Sequence, residues 1–277
     1  MADLKDKTLF ISGGSRGIGL AIAKRAAADG ANVALLAKTA EPHPKLEGTV
    51  FTAAEEIEEA GGTALPIVGD VRDENSVADA VQQAVDKFGG IDIVVNNASA
   101  INLVGTEALE PKRYDLMQNI NVRGSFLMTR AAVPYLKKGS NPHILTLSSP
   151  ISLEPKWLGP HIGYTLAKYG MSLLALGWAA EFAEDGIASN ALWPRTLVAT
   201  AAVQNLLGGD AAMEKARTPE VYSDAAYEIL IKPSREYTGN TVLCEDVLRE
   251  SGVEDLSKYS HSGSDADLQV DLFVDHV

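Results

Sequence analysis

The sequence predicts one α/β domain built on a single doubly wound parallel sheet, with helices on both faces. Three observations predict it. Short apolar runs of β character alternate with alanine-rich or amphipathic segments along the chain, with no internal repeat, low-complexity stretch or Gly/Pro/Ser-rich linker between them. The run Ile91–Val95 is continuously apolar, as a parallel strand covered on both faces must be. The residues able to bind or react fall immediately after the strands: Gly13, Lys38, Asp70, Asn97, Ser149 and Pro194. Open α/β sheets bind their ligands at those carboxyl ends.

The chain's 277 residues, 46% hydrophobic and 22% charged, describe an ordinary globular protein with a sizeable core. We read residues 1–277 as one domain, with 197–220 as a substrate lid and 251–277 as a weakly patterned acidic tail. Thirty-seven acidic against 24 basic residues give a formal charge of −13, which disfavours nucleic acid and anionic membrane surfaces as partners. Cys244 is the only cysteine, so no intrachain disulfide forms. Met1–Lys7 lacks an apolar signal core and no apolar run suffices to span a bilayer, so the expected compartment is the cytoplasm.

Thr8–Ser12 is the first strand, and it leads directly into Gly13-Gly14-Ser15-Arg16-Gly17-Ile18-Gly19 and an alanine-rich helix, Leu20–Ala28. Glycines there allow close backbone approach, and free amides at a helix start favour a pyrophosphate. The second strand, Val33–Ala37, ends at Lys38-Thr39, where dinucleotide folds inspect the adenosine ribose. An acid there selects NAD; Lys38, with Arg16 nearby, points to NADP, with NAD possible. A polar loop with Pro42, His43 and Pro44 precedes a helix over 51–60 and a strand, Ala64–Val68, that ends in Gly69-Asp70-Val71. Asp70 is placed either to accept from an adenine amine or to cap the helix beginning near Asp73.

Ile91–Val95 opens into Asn96-Asn97-Ala98-Ser99, whose small residues leave room for a ribose. A helix over 111–138 carries Asn119 and Asn121 in its middle, where asparagine is unfavourable without a partner. Asn121 either holds a backbone carbonyl or water, or satisfies a local bulge. Ile144–Leu147 delivers Ser148-Ser149 to its carboxyl end; a hydroxyl there can orient a substrate oxygen or cap a turn. A long helix starts near Tyr164, a strand spans Ile187–Leu192, and Trp193-Pro194-Arg195-Thr196 precedes an apolar segment, Leu197–Leu207. Thr241–Cys244 is the last strand, and Leu268–Val274 suits one more extended piece or a subunit contact.

Tyr164 and Lys168 stand one helical turn apart, about 5–6 Å at Cβ, on one face. A free phenol titrates near pH ~10, and an adjacent cation favours the phenolate. A shift of roughly three units asks for about 4 kcal/mol, which a held lysine and a cationic cofactor ring can supply. Tyr164 is then able to exchange a proton with an alcohol oxygen.

Together these residues resemble the short-chain dehydrogenase/reductase family over at least residues 5–244: the glycine turn Ser12–Gly19, Asn96-Asn97-Ala98, Asn121, Ser148-Ser149, and Tyr164 with Lys168. Within it, Asn96–Ile101, Ala191–Pro194 and Ala37-Lys38-Thr39 with Pro42-His43-Pro44 resemble a subgroup of hydroxysteroid dehydrogenase-like proteins. The resemblance implies a Rossmann-type fold and a homodimer or homotetramer. It makes Tyr164 the proton donor or acceptor, Lys168 its pKa-lowering neighbour and ribose ligand, a strand-end serine the substrate orienter, and Asn121 the anchor of a relay water. It implies cofactor contacts from Gly13, Ser15, Arg16, Gly17, Ile18, Gly19, Lys38, Asp70, Val71, Asn97, Ala98, Ser99, Pro194 and Thr196. Animal members carry a further lipid-carrier domain and a peroxisomal ending, neither found in this sequence.

Three positions depart from the family. Ser99 replaces a glycine, and Arg195-Thr196 replaces a Pro-Gly turn that touches the nicotinamide amide, so that contact must be made differently. The serine pair lies fifteen and sixteen residues before Tyr164, which favours Ser149 with Ser148 close behind. The expected activity is hydride transfer between NADP and an alcohol or carbonyl carbon of an apolar substrate such as a fatty acyl, prenyl or steroid-like compound. Reduction of a conjugated C=C bond is the enzymatic alternative, and a catalytically silent NADP-binding sensor or scaffold is the alternative of another class.

Overall fold

The computed structural model of the protein describes residues 3–42 and 47–275. His43 and Pro44 of the proline-bearing loop, and His276 and Val277 of the tail, lie outside the described residues. Strand β1 (Thr8–Ser12) feeds helix α1 (Gly17–Ala27), and β2 (Asn32–Ala37), α2 (Val50–Glu59), β3 (Thr63–Val68) and α3 (Glu74–Phe88) complete the first half. The second half holds β4 (Ile93–Asn96), α4 (Pro111–Met117), α5 (Gly124–Leu136), β5 (His143–Leu147), a short α6 (Pro155–Leu158), α7 (Ile162–Glu181) and β6 (Ala188–Trp193). Then come α8 (Gly209–Met213), α9 (Glu220–Leu230), β7 (Thr241–Leu243) and α10 (Cys244–Glu250).

All seven strands are parallel, in the order β3-β2-β1-β4-β5-β6-β7. The chain therefore grows outward from β1 to β3 and crosses back to place β4 beside β1, opening a crevice at that switch point. Side chains alternate across the strands. Leu9 and Ile11 point into an apolar layer with α1, α9 and α10, while Phe10 between them points into a second layer with α3, α5 and the end of α7. Both faces are buried, which is why these strands are apolar throughout.

The helix expected over 111–138 is interrupted. Gln118–Arg123 adopts a π-helical turn between α4 and α5. Its cause is Asn121, whose side chain is drawn out to the backbone of Ala100: Ala100 N donates to Oδ1 at 2.8 Å and Nδ2 donates to Ala100 O at 3.1 Å. The wider turn packs on α7 at Gly170, where a Cβ would lie 2.8 Å from Val122 Cγ2. Asp73, not Asp70, caps α3, accepting from Asn75 N at 2.9 Å. Glu220–Leu230, left unassigned in the sequence, forms α9 on a clear helical stripe of Val221, Tyr222, Ala225, Ala226, Ile229 and Leu230. No helix of the described residues is long and apolar enough to cross a membrane.

The tail returns to the sheet's carboxyl end. Thr196 bridges Val270 in antiparallel fashion, Leu197 N donates to Gln269 O at 2.9 Å, and Asp271 N donates to Arg195 O at 3.0 Å. Trp193 Nε1 donates to Leu272 O at 2.9 Å, and Phe273 is buried. The extended piece anticipated over Leu268–Val274 thus pairs with the turn that follows β6.

Candidate active site

A cleft of about 930 Å³ runs along the carboxyl ends of the strands. It is lined by Gly13, Ser15, Arg16, Gly17, Ile18, Lys38, Asp70, Val71, Asn97, Ala98, Ser99, Tyr164, Lys168 and Pro194. Gly19, Asn121, Ser149 and Thr196, and Ser148 beside Ser149, do not line it.

At the floor, the glycine turn is locked to β4. Ser12 Oγ accepts from the amides of Asn97 and Ala98, both at 3.1 Å, and Asn97 Nδ2 donates to Ser12 O at 2.8 Å and Gly13 O at 2.9 Å. Gly13 has φ +71°, and a Cβ there would come within 2.9 Å of Asn97 Nδ2 and 3.0 Å of Ala98 Cα. Only glycine meets both demands. Helix α1 begins without a side-chain cap and without an acid in its first turn. Gly17 and Ile18 at its first positions line the cleft, and free amides at a helix start suit a pyrophosphate. Gly19 serves packing: a Cβ there would sit 2.6 Å from Asn97 Nδ2.

At the β2–β3 end, Asp70 is committed to cations. Arg72 chelates its carboxylate, with Nε 3.0 Å from both oxygens and a terminal nitrogen 2.6 Å from Oδ2, and Lys38 Nζ lies 3.1 Å from Oδ2. The Arg72 guanidinium holds this carboxyl well below the usual carboxylate range, with Lys38 adding to the effect. Arg16 donates to Glu47 O at 2.8 Å and Gly48 O at 2.6 Å, so its fork braces the loop before α2 while it lines the cleft.

At the other end, α7 presents Tyr164 and Lys168 to the cleft together, as their spacing requires. Gln118 Nε2 donates to Gly163 O at 3.2 Å, fixing the start of α7 against the π turn. Lys168 Nζ donates to Leu147 O at 2.9 Å and lies 5.1 Å from the Trp193 ring centroid. Burial moves Lys168 down to about 8 and pushes the Tyr164 phenol up. The sequence led us to expect a lowered phenol. Burial is the larger cause and the Asp271 carboxylate adds to it, whereas the lowering expected also counts on a cationic cofactor ring; Phe273 stacks on the tyrosine at 6.2 Å and 28°.

The two serines part company. Ser148 Oγ donates to Lys168 O at 2.6 Å and accepts from Ser172 Oγ at 2.9 Å, so it ties β5 to α7. Ser149 Oγ is buried and has no partner among the described residues, which leaves a hydroxyl in hand at the end of β5. Thr196 turns its hydroxyl to Glu245 Oε1 at 3.4 Å, away from the cleft, and its backbone is taken by Val270.

A family model described as short chain dehydrogenase matches residues 7–209. The chain belongs to the short-chain dehydrogenase family. It is therefore a nucleotide-binding oxidoreductase on a Rossmann-type fold. The family match ends before β7 and the tail. Hydroxysteroid dehydrogenase-like protein 2 of Xenopus tropicalis is 54% identical over 97% of this chain, which spans 63% of that relative's length. The crystal structure of a short chain dehydrogenase from Mycobacterium thermoresistibile is 67% identical, covering 99% of this chain and 97% of that one, with a TM-score of 0.93. Two members at 23% identity share the fold: carveol dehydrogenase of Mycobacterium avium in complex with NAD covers 88% of this chain and 97% of its own, with a TM-score of 0.77. A metagenomic short-chain oxidoreductase in complex with NADP covers 87% and 96%, with a TM-score of 0.71. Those two structures hold NAD and NADP respectively.

The short-chain dehydrogenase cleft also contains residues that the sequence did not single out. Ala100, Leu147, Thr200, Tyr222 and Asp271 all line it. Tyr222 could have been found from the α9 stripe. Asp271 sits in an acidic tail and carries no local signal.

Proposed function

We propose that this short-chain dehydrogenase prefers NADP and interconverts a secondary alcohol and a carbonyl on an apolar substrate of fatty acyl, prenyl or steroid-like character. One observation carries the reading: Tyr164 and Lys168 line the same cleft as an uncapped glycine turn. The bound nicotinamide supplies the hydride chemistry. The chain's own residues bind, orient and move a proton. The amides around Gly13 and Gly17 hold the pyrophosphate, Lys38 and Arg16 face the 2′-phosphate, and Lys168 takes the ribose. A phenol pushed up by burial is protonated at neutral pH, the form that donates to a carbonyl oxygen. Ser149, buried and outside the cleft lining, has an unpartnered hydroxyl that reaches that oxygen only by a shift of the β5 end, and Asn121 holds the wall at Ala100 and a relay water.

Trp157, Leu158, Trp193 and the segment 197–220 as lid give the substrate apolar surroundings. Phe126 on α5 and Leu166 and Leu173 on α7 are exposed, a face suited to a homodimer or homotetramer. The single, buried Cys244 suits the cytoplasm.

The test is NADPH oxidation against a panel of apolar ketones, aldehydes and enones. Turnover with the carbonyls, lost in Tyr164→Phe while NADPH still binds, is the expected result. Turnover of enones alone would make it a C=C reductase. Binding without turnover in the wild type would make it a cofactor sensor, a reading that the Phe273 ring packed over Tyr164 favours.

A further inference from the structure

We propose that the Asp271 carboxylate is a counter-charge for the oxidised nicotinamide, so that the site binds the cationic oxidised cofactor in preference to the neutral reduced one. The inference rests on the dinucleotide reading above and adds a residue of the tail to it.

The ring has little freedom of place. It must lie against the substrate carbon whose oxygen meets the Tyr164 phenol, and Lys168 must reach its ribose. That is the end of the cleft bounded by Tyr164, Lys168 and Pro194, and Asp271 lines it. Of the cleft's other charged residues, Arg16, Lys38 and Asp70 stand toward the β2–β3 end, and Arg113 is on α4, which packs on the start of α7. Asp271 is the cleft acid whose charge acts on Lys168 and Tyr164.

The carboxyl is fixed in place and unspent. Its backbone N donates to Arg195 O at 3.0 Å, the neighbouring Val270 bridges Thr196, and the following Leu272 accepts from Trp193 Nε1. One hydrogen bond reaches the carboxyl, from Leu272 N at 2.7 Å, and among the described residues no lysine, arginine or histidine forms an ion pair with it. Its charge acts on both Lys168 and Tyr164. Burial pushes it up to about 7, so it is an acid that an arriving cation can ionise.

The same strand pairing explains how a chain with Arg195-Thr196 after Pro194 can serve the ring. Leu197 N is engaged by Gln269 O, so this wall of the pocket is presented by the tail. The Lys168 ammonium repels a cationic ring, and the Asp271 carboxylate, close enough for its charge to act on Lys168, offsets that repulsion. The reduced ring carries no such charge and gains nothing from it.

The experiment is titration of NADP+ and NADPH into the full chain, read by calorimetry, for wild type, Asp271→Asn and Asp271→Ser. The substitutions are expected to weaken NADP+ at least about tenfold, about 1.4 kcal/mol, and NADPH less than about threefold. Equal losses for the two cofactors in Asp271→Asn and Asp271→Ser, or none for either, would overturn the proposal and leave Asp271 as an anchor of the tail. Wild type binding neither cofactor would overturn the dinucleotide reading itself.

Discussion

Phe273→Ala removes the side chain that seats the tail over the reacting end. The ring is buried and touches five others: Tyr169 at 5.3 Å between centroids, His161 at 5.7 Å, Trp157 at 5.9 Å, and Tyr164 and Trp193 at 6.2 Å. Burying a phenyl ring stabilises by about 2–3 kcal/mol, and well-placed ring pairs add about 0.5–1.5 kcal/mol in aggregate. Alanine keeps the left-handed backbone at this position, φ +68°, and its cost, so nothing offsets the loss. A net loss near 3 kcal/mol follows if the tail unfolds only with the rest. For 277 residues the entropy of unfolding is about 0.6 kcal/mol/K, so the melting temperature should fall by about 5 °C. Calorimetry reads this. Hydrogen exchange reads where the loss falls: the amides of Leu197 and Asp271 should lose protection, and those of β1 and β4 should keep it. The Tyr164 phenol, relieved of burial, should titrate closer to its ordinary value. A melting temperature unchanged within about 1 °C with full protection at Leu197 would refute the reasoning, because the tail would then be held by its backbone ladder alone.

Four further outcomes are expected. His143 is buried with Nε2 3.1 Å from Lys232 O, and burial moves it down to about 4 from 6.5. Its folded form stays neutral while the unfolded chain takes up a proton below 6.5, so stability is lost as pH falls. The loss at pH 5 is about 2 kcal/mol, to be read as the difference between wild type and His143→Gln in denaturant midpoints across that range. Gly170→Ala overpacks the contact with Val122 and should destabilise by about 1–3 kcal/mol. Gly177→Ala, exposed on the same helix with nothing within 4 Å, should stabilise by about 0.5–1 kcal/mol, and thermal melts compare the two. Lys38→Asp should weaken NADPH at least about tenfold and spare NADH in binding titrations, since a carboxylate repels a 2′-phosphate; equal losses would show that Lys38 serves Asp70 alone.

What could be read from the sequence was whatever short-range chemistry settles. The step from β1 through the glycine turn into α1 depends on residues within ten positions of one another, and Tyr164 and Lys168 share a face because a helix allows nothing else. For Asn121 the sequence offered a held backbone carbonyl or a local bulge, and both are present in the π turn; its partner, Ala100, could not be read because it lies twenty-one residues earlier in the chain. Ser148 is likewise engaged by Ser172 and the Lys168 carbonyl on another element, which its position in the sequence does not show.

The tail is the instructive case. Two oddities stood in the sequence far apart: Arg195-Thr196 where the family turns through Pro-Gly, and an apolar run, Leu268–Val274, in an otherwise acidic end. They are one structural event. A β-branched threonine suits extended backbone where glycine would not, and Thr196 pairs with Val270. That pairing sets the alternation of the tail's side chains, and the alternation brings Asp271 to the cleft beside Lys168. The turn after β6 therefore also forms the edge that carries a carboxylate to the cleft, a coupling visible only when both segments are seen side by side.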